Sequence, residues 1–560
     1  MLWPRRLVSL TALTSLTTVS VVSSSTQASA SQGQEVRNVA IIGAGAAGSS
    51  TAYYLRKYAD EYDLAVNITL FEKTDKIGGR TLTIDPFDIE VPYESVELGA
   101  SIFVKINAIL YNATRDFGLA TTTREEDGVD GILAFWDGEK VRFDIDSAHS
   151  EWRTKARLVW RYGYFALKNS QALMQRAMGK FLNLYETPYF PFKSLTQRAS
   201  ELELLEEASS TGEEFLRKNK IPDLFSQEFI QALTRVNYAS NLAYIHGLET
   251  MVSTAAEGAM SVVGGNWRIF DKMVKASGAA FLPNTSVCVV ALHSPTDHPS
   301  VASRYTINTR PSGDDTLSIG ETQRVVFDDV VVATPYQFSK MLIGLGYLEN
   351  RIDDEVPYIT LHVTIFSSPF RLSAEYFKIA PNKVPTTVLT TLAEGESPLS
   401  GWQGAGKAGF YSISTLKMVV NPNTGREEYL YKIFSPLKVT PEFLSELFGV
   451  NIPDTFVGEI HQDEDEGQAK VEPISWYHPH VFHSYPKPLP RVTFQDPVVA
   501  PGLYYTSGME SLISTMETNA LMGKNVARLI IDEILSAHKE KTAVVEEVDE
   551  NGVQQVLQDL

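Results

Sequence analysis

The sequence predicts an α/β protein whose parallel sheet is assembled from separated stretches of the chain. A short apolar segment at residues 39–42 is followed at once by a glycine-rich turn. A second apolar segment ends at an acidic residue, and strand-like segments return near residues 330 and 503. Two long insertions separate these segments, and we expect them to form an α+β domain beside the sheet.

The first element is a βαβ unit. Val39–Ile42 is apolar enough for a buried strand, and residues 43–48 then have the spacing G-x-G-x-x-G. A helix is predicted from Ser49 to about Tyr58, and a second strand at residues 67–71 is closed by Glu72. This order is typical of Rossmann-like dinucleotide-binding units, in which the closing acid accepts hydrogen bonds from ribose hydroxyls.

The residues of the glycine-rich turn have distinct expected roles. Gly43 permits the tight turn, Gly45 lets the main chain approach a pyrophosphate, and Gly48 lets the helix pack close to the strand. The free N–H groups of Ala46 and Ala47, at the start of the helix, favour bound phosphates. The unit therefore predicts an adenine dinucleotide.

Two later segments indicate which dinucleotide is bound, NAD or FAD. Residues 78–80 are Gly-Gly-Arg, and residues 97–101 are Glu-Leu-Gly-Ala-Ser. Both resemble the second fingerprint and the flavin-lining segment of FAD-dependent amine oxidases and their relatives, in which the arginine carries charge that matches the phosphates. The resemblance implies FAD as the cofactor, with contacts from Gly79, Arg80, Gly99, Ala100 and Ser101.

The sheet is predicted to continue after the first insertion. Val325–Phe327 and Val330–Val332 are expected to be two strands of the parallel sheet, the second stopping at Pro335. Residues 284–290 form another predicted strand. The resemblance places the backbone of Val287 against the adenine.

The last predicted segment of the parallel sheet is a strand near Tyr504, which is followed by a turn at Gly508. A long helix is predicted from about Ser511 to Leu535. The resemblance aims the start of this helix at the flavin, with Gly508 and Glu510 in contact with the cofactor. Glu510 and Glu517 are the candidate catalytic residues, although a helix-capping role for Glu510 is an open alternative.

These elements give a domain prediction. We expect a Rossmann-like FAD-binding domain built from discontinuous segments and a substrate-binding domain built from the insertions. The predicted limits are a signal peptide at 1–30, the FAD-binding domain at 36–125, 256–340 and 485–535, the substrate-binding domain at 126–255 and 341–484, and a disordered acidic tail at 536–560.

Composition and the N-terminal sequence limit the partners and the cellular compartment that we expect for this protein. The chain has 560 residues and a formal net charge of −19, which argues against nucleic acid or an anionic membrane surface as its main partner. Arg5 and Arg6, a moderately apolar stretch and Ala28-Ser29-Ala30 predict a cleaved secretory signal, with a membrane anchor as the alternative. We expect no stable membrane span, and a lysosomal, vacuolar or secreted destination. N-x-[ST] sequons mark possible glycosylation at Asn67, Asn112 and Asn284.

Further segments narrow the family. They are Arg235–Tyr238, Gly258–Asn266, Trp476–Pro490 and Gly502–Ala520. Together with the N-terminal fingerprints they resemble the prenylcysteine oxidase (prenylcysteine lyase) family. The resemblance implies oxidative cleavage of farnesyl- or geranylgeranylcysteine, a small hydrophobic thioether, with O2 and water. The products would be cysteine, a prenyl aldehyde and hydrogen peroxide.

Several alternatives stay open from sequence alone. An FAD amine oxidase, another prenyl-compound oxidase, or a prenyl-lipid-binding flavoprotein without turnover would share most of these segments. Aromatic residues crowd the stretch from Trp152 to Phe192, and we expect most to pack in the core and some to wall an apolar pocket. His478, His480 and His483 have no placed carboxylate, so we expect an edge strand or loop and no metal site there. The oligomeric state is not predicted.

Overall fold

The computed structural model describes residues 36–558 apart from 124–128, 293–304, 314–322, 345–347, 349, 353–355 and 455–471. The expected signal peptide lies outside the described residues. The strands in chain order are β1 (Arg37–Ile42), β2 (Val66–Phe71), β3 (Thr83–Ile84), β4 (Val96–Glu97), β5 (Thr121–Thr123), β6 (Ile132–Trp136), β7 (Val141–Asp146), β8 (Met260–Val262), β9 (Ala280–Leu282), β10 (Thr285–Leu292), β11 (Tyr305–Pro311), β12 (Gln323–Phe327), β13 (Asp329–Val332), β14 (Leu342–Ile343), β15 (Tyr358–Ser368), β16 (Thr387–Thr390), β17 (Ser412–Val420), β18 (Glu427–Ser435), β19 (Trp476–Pro486), β20 (Val498–Ala500) and β21 (Leu503–Tyr505).

Helices connect and cover these strands. The α-helices are α1 (Ala46–Glu61), α2 (Ala108–Asp116), α3 (Glu151–Tyr162), α4 (Tyr164–Leu182), α5 (Leu195–Glu201), α6 (Leu205–Ala208), α7 (Gly212–Lys218), α8 (Asp223–Phe225), α9 (Gln231–Tyr238), α10 (Gly247–Ser253), α11 (Trp267–Ser277), α12 (Pro441–Phe448) and α13 (Met516–Gln558). A π turn at Ser226–Ile230 joins α8 to α9. Short 3₁₀ turns lie at Pro86–Asp88, Asn183–Tyr185, Leu242–Tyr244, Tyr336–Phe338, Pro381–Lys383, Gly401–Gln403, Gly406–Ala408 and Ser507–Ser511. None of the helices described here has the length and apolarity needed to cross a membrane.

The predicted parallel sheet is present. Its strand order is β20-β21-β13-β1-β2-β9, with only the edge strand β20 antiparallel. Alternate residues of β1 face two different layers. Val39 and Ile41 pack in the core that includes α1 and α13, while Ala40 and Ile42 pack against the layer that contains β10, β11 and β12. Burial on both faces explains why β1 is a continuous apolar run rather than an alternating one.

The prediction that Val325–Phe327 belongs to the parallel sheet is wrong. Only β13 joins it; β12 pairs antiparallel with β11 in a four-stranded sheet of order β12-β11-β10-β14. The change of sheet occurs at Asp328, whose carboxylate accepts a hydrogen bond from the Asn38 N–H at 2.7 Å and whose own N–H donates to the Asn38 carbonyl at 2.8 Å. Two apolar runs separated by only two aspartates, Asp328 and Asp329, therefore enter different layers.

Both insertions contribute to one seven-stranded sheet of order β19-β15-β18-β17-β16-β6-β7. β6 and β7 come from the first insertion, and β6 pairs parallel with β16 from the second. β19, which carries the histidines and prolines of residues 476–486, lies at the edge, as expected for a strand whose prolines cannot donate ladder hydrogen bonds. The described residues contain no cluster of three or more metal-ligating side chains. The exact domain limits stay a prediction.

The C-terminal segment differs from the prediction in two ways. Ser507–Ser511 is a 3₁₀ turn, and the long helix starts only at Met516. That helix continues to Gln558, so residues 536–558 are helical where a disordered tail is predicted. Residues 536–558 contain a single glycine and no proline, and are rich in good helix formers, which favours continuation of the helix.

Candidate functional site

The glycine-rich turn forms a cradle between β1, α1 and the second glycine pair. Gly43 has φ +106°, and a Cβ there would lie 2.7 Å from the Ala333 carbonyl oxygen. A Cβ at Gly48 would lie 1.8 Å from the Gly43 carbonyl oxygen, so the helix packs directly on the turn. At Gly45, by contrast, an added Cβ would meet only the Gly79 Cα, at 3.9 Å. The space in front of Gly45 is open, as the close approach of a pyrophosphate requires.

The start of α1 adds polar groups to this open space. Gly45 is its N-cap residue and provides no side-chain cap. The first-turn N–H groups, those of Ala46 and Ala47 among them, point along the helix axis and are available to an anion. An open glycine beside an uncapped helix start fits a dinucleotide phosphate.

Glu72, the residue predicted to bind the ribose, lies beside the glycine-rich turn. It follows β2 directly, is 7% exposed, and accepts a hydrogen bond through Oε2 from the Ala44 N–H at 2.8 Å. Its Oε1 accepts from the Thr74 N–H and hydroxyl, both at 2.9 Å. The Thr285 N–H donates to the Glu72 carbonyl at 2.8 Å, which brings the start of β10, and with it buried Val287, to the same end of the sheet.

Arg80 is paired with Glu510. Its guanidinium donates to both carboxylate oxygens at 2.7 Å and to the Ser484 carbonyl at 2.6 Å. The Glu510 side chain is 1% exposed. Burial alone would lower the pKa of Arg80, but the charge and hydrogen bonds of Glu510 outweigh it and raise that pKa, so Arg80 stays protonated. Arg80 and Glu510, both among the residues that the sequence assigned to cofactor contacts, are therefore joined to each other through two hydrogen bonds.

Gly508 belongs to the 3₁₀ turn that carries Glu510. A Cβ at Gly508 would lie 2.4 Å from the Gln495 carbonyl oxygen. The Thr506 N–H donates to the Val332 carbonyl at 3.1 Å, which fixes this turn at the end of β13. Glycine is needed here because the turn packs against another part of the backbone.

The Glu97–Ser101 segment and the Gly264-Gly265-Asn266 segment meet. The Asn266 N–H donates to Glu97 Oε1 at 2.6 Å, and its side-chain amide donates to the Ala100 carbonyl at 3.2 Å. Gly99 lies under Arg80, since a Cβ at Gly99 would be 1.9 Å from the Arg80 carbonyl oxygen. The segment predicted to line the flavin ring is thus hydrogen-bonded to Asn266 and packed against the backbone of Arg80.

Sequence reasoning missed Lys432, which completes this junction. Lys432 lies on β18, is 7% exposed, and donates from Nζ to the Glu97 carbonyl at 2.7 Å and to Ser101 Oγ at 3.1 Å. Burial lowers the pKa of Lys432 and raises the pKa of Glu97, against the attraction between the two. Glu97 Oε2 is buried and has no hydrogen-bond partner among the described residues. The available signal was a lone lysine inside the apolar run Tyr429–Phe434.

Glu517, the second candidate catalytic residue, lies at the start of α2. Its carboxylate accepts hydrogen bonds from the Ile109 N–H at 2.9 Å and the Leu110 N–H at 3.0 Å, in the first turn of α2. The Tyr185 hydroxyl also donates to it, at 3.0 Å. Burial raises the pKa of Glu517 to about 7. Glu510 and Glu517 do not lie on one helix, because α13 begins at Met516 and Glu510 belongs to a separate 3₁₀ turn.

The remaining residues of interest have simple positions. Asn67, Asn112 and Asn284 are all exposed, so each sequon is accessible to modification. His246 is fully buried and its Nδ1 accepts from the Glu249 N–H at 3.1 Å, which caps α10. Cys288 is partly buried on β10. Glycosylation stays a prediction.

Comparison with known proteins identifies the family. A family model described as prenylcysteine lyase matches residues 145–544, which is more than half of the chain. The chain belongs to the prenylcysteine lyase family. A second model, described as an NAD(P)-binding Rossmann-like domain, matches residues 41–117 and confirms the predicted dinucleotide-binding unit.

Curated relatives extend this match over most of the chain. Prenylcysteine oxidase 1 of Pongo abelii is 27% identical over 515 residues, covering 89% of this chain and 90% of that protein. Farnesylcysteine lyase of Arabidopsis thaliana is 26% identical over 525 residues, covering 89% of each. Among solved structures, a cyclohexylamine oxidase from Brevibacterium oxydans has a TM-score of 0.53 at 14% identity and covers 89% of this chain and 99% of its own. That likeness confirms the predicted α/β fold with a Rossmann-like domain.

Proposed function

We propose that this protein is an FAD-dependent thioether oxidase that cleaves farnesyl- or geranylgeranylcysteine. The observation that carries the proposal is the near full-length match to proteins named prenylcysteine oxidase and farnesylcysteine lyase. The open glycine cradle supports it, because it leaves room for the pyrophosphate of the flavin that the reaction requires.

The residues of this chain fit FAD. Gly43, Gly45 and Gly48 shape the turn, and the first N–H groups of α1 would hold the pyrophosphate. Glu72 would hold the ribose, and the segment Gly99–Ser101 would lie along the flavin ring. Bound FAD would supply acceptance of a hydride and transfer of the two electrons to O2.

The overall reaction balances without a strong base. The prenyl C1 carbon is oxidised, its bond to sulfur breaks, and water provides the aldehyde oxygen. One thioether, one O2 and one water give cysteine, a prenyl aldehyde and hydrogen peroxide. Hydrogen leaves C1 as hydride and not as a proton, so no free carboxylate has to remove it. This agrees with Glu510, which is paired with Arg80, and Glu517, which caps α2.

The protein's part is therefore to orient the substrate and to control its surroundings. Glu510 acts in this proposal as a positioning residue for Arg80, and Glu517 as a positioning residue for the start of α2. Asn266 and Lys432 both donate hydrogen bonds to the Glu97–Ser101 segment, so that its backbone keeps one position during turnover.

The compartment is part of the proposal. A signal peptide at residues 1–30 and three exposed sequons support entry into the secretory pathway, with a lysosomal, vacuolar or secreted destination. Expression in a eukaryotic host, followed by endoglycosidase digestion and N-terminal sequencing, tests both points. An unmodified protein that keeps residue 1 would contradict them.

Anaerobic reduction tests the reaction. The purified protein should be yellow, should bleach on addition of farnesylcysteine without O2, and should release peroxide and cysteine in equal amounts when O2 is admitted. Bleaching by putrescine or cyclohexylamine, with none by farnesylcysteine, would instead show an amine oxidase. Tight binding of farnesylcysteine without bleaching would show a lipid-binding flavoprotein.

A further inference from the structure

Helices α3 and α4 expose an unusual number of large apolar side chains. Trp160 is 91% exposed, Phe165 71%, Trp152 70% and Tyr164 56%. Residues 152, 156, 159 and 160 follow the i, i+4, i+7, i+8 spacing of an apolar helix face, and all four are exposed. The apolar stripe of α3 thus points to solvent and continues into the first turn of α4. We call the set Trp152, Val159, Trp160, Tyr164 and Phe165 the aromatic surface.

The opposite face of α3 is firmly attached, so the helix cannot turn to bury this stripe. Arg161 donates to both oxygens of the Glu228 carboxylate at 2.7 and 2.8 Å, and the Tyr162 hydroxyl donates to the same group at 3.0 Å. Arg157 is paired with Asp144 at 2.7 Å. The Tyr162 ring packs edge-on against Phe143 and Phe225. Exposure of the aromatic surface is therefore built into the packing of the helix.

The chemistry of the surface favours a lipid headgroup region. Tryptophan and tyrosine have an apolar body and a polar atom, which suits them to the boundary between acyl chains and water. Exposed Arg153, Lys155 and Lys168 flank the aromatic surface. Of the five basic residues in 151–168, Arg157 and Arg161 are paired with Asp144 and Glu228 and Lys155 is paired with Glu151, whereas Arg153 and Lys168 add exposed positive charge in a chain of net charge −19. A strongly acidic protein thus has a local basic and aromatic face.

We propose that the aromatic surface docks on an anionic phospholipid bilayer, with its aromatic rings in the interfacial layer and Arg153, Lys155 and Lys168 against the headgroups. Such a contact would place the protein at the boundary where a prenylated amphiphile partitions. The docking itself does not depend on the proposed reaction, because binding is measured without turnover.

Sedimentation with vesicles tests the docking. The wild-type holoenzyme should bind vesicles of phosphatidylcholine containing about one-fifth phosphatidylserine, and its tryptophan emission should shift to shorter wavelength on binding. The double variant Trp160→Ser, Phe165→Ser should bind at least tenfold more weakly, since it lacks two of the rings that would be buried in the bilayer. Trp402→Ser is the matched control, because Trp402 is 65% exposed on the other insertion and its loss should change nothing.

Two further arms separate the rival explanations. Raising the salt concentration, or omitting phosphatidylserine, should weaken wild-type binding because the basic rim is screened or loses its partner. Light scattering without lipid should give the same mass for the wild type and the double variant. Equal vesicle binding by the double variant, no binding by the wild type, or wild-type oligomers that the double variant lacks would each overturn the proposal, the last by assigning the surface to self-association.

Discussion

The nucleotide cradle and the Glu97–Lys432 junction are built in opposite ways. The cradle comes from one continuous stretch, in which backbone groups and the absence of a Cβ at Gly45 create the site. The junction brings together Glu97, Asn266 and Lys432 from three distant parts of the chain and relies on side-chain charge in a buried place. The cradle has little to titrate, whereas both charged groups of the junction have pKa values moved by burial. We therefore expect the cradle to govern cofactor retention and the junction to govern turnover and its pH dependence.

The largest expected effect breaks the cradle. Gly45→Val should reduce FAD retention by at least a hundredfold, because the side chain would occupy the space that the pyrophosphate needs. The protein should still fold, since an added Cβ meets nothing closer than 3.9 Å. Flavin absorbance per mole of purified protein is the measurement, with circular dichroism as the check on folding.

Two other glycines provide controls for this test. Gly179→Val should keep its flavin, because an added Cβ at Gly179, in the middle of α4, has no neighbour within 4 Å. Gly48→Ala should fail at folding, since its Cβ would lie 1.8 Å from a carbonyl oxygen. If the Gly45→Val protein keeps its full flavin content, the cradle is not part of the cofactor site.

The second largest effect is expected at Arg80, which connects the nucleotide cradle to the Glu97–Lys432 junction. Arg80 follows the second glycine pair, holds Glu510, and accepts the Ala100 N–H through its carbonyl at 3.1 Å. Arg80→Met should destabilise the protein by about 3 kcal/mol, because Glu510 would remain buried without its cation. The apparent Tm measures this loss. Combination with Glu510→Leu should recover part of it, and a double variant less stable than Arg80→Met would show that the pair is not the cause.

The contrast also explains how far sequence reasoning could reach. Gly43–Glu72 could be predicted because a local spacing determines a local geometry, and the helix, strand and acid follow within one stretch. The junction could not, because no pattern in the sequence relates Lys432 to Glu97 across more than three hundred residues. The sheet change at Asp328 and the late start of α13 were missed for the same reason: apolar runs predict strands and helices but not the layer or turn that interrupts them.

A smaller effect is expected when the junction is broken while the cradle stays intact. Lys432→Met should retain FAD but lower kcat about tenfold to a hundredfold, because the Glu97–Ser101 segment loses two hydrogen bonds and Glu97 loses its cation. Burial lowers the pKa of Lys432 to about 8. Wild-type kcat should therefore fall as the ammonium deprotonates above about pH 8, and this limb should be absent in the variant. A variant with wild-type kcat and an unchanged pH profile would contradict a positioning role.

The smallest expected effect is at Glu517, a buried carboxylate that belongs to neither region. Its folded-state pKa, about 7, lies above the ordinary carboxyl value of 4.5, because burial disfavours the charged form. The folded protein then binds a proton that the unfolded chain has released, so this group's contribution to stability is full below pH 4.5 and is lost as the pH rises to about 7.

Glu517→Gln lacks this titration but keeps only one acceptor oxygen for the start of α2. The apparent Tm of the wild type should therefore fall by about 2 °C relative to the variant between pH 5 and pH 7.5, measured by calorimetry in matched buffers. A difference that stays constant with pH would mean that Glu517 titrates in the folded protein as it does in the unfolded chain, and that its two N–H donors and Tyr185 fully offset its burial.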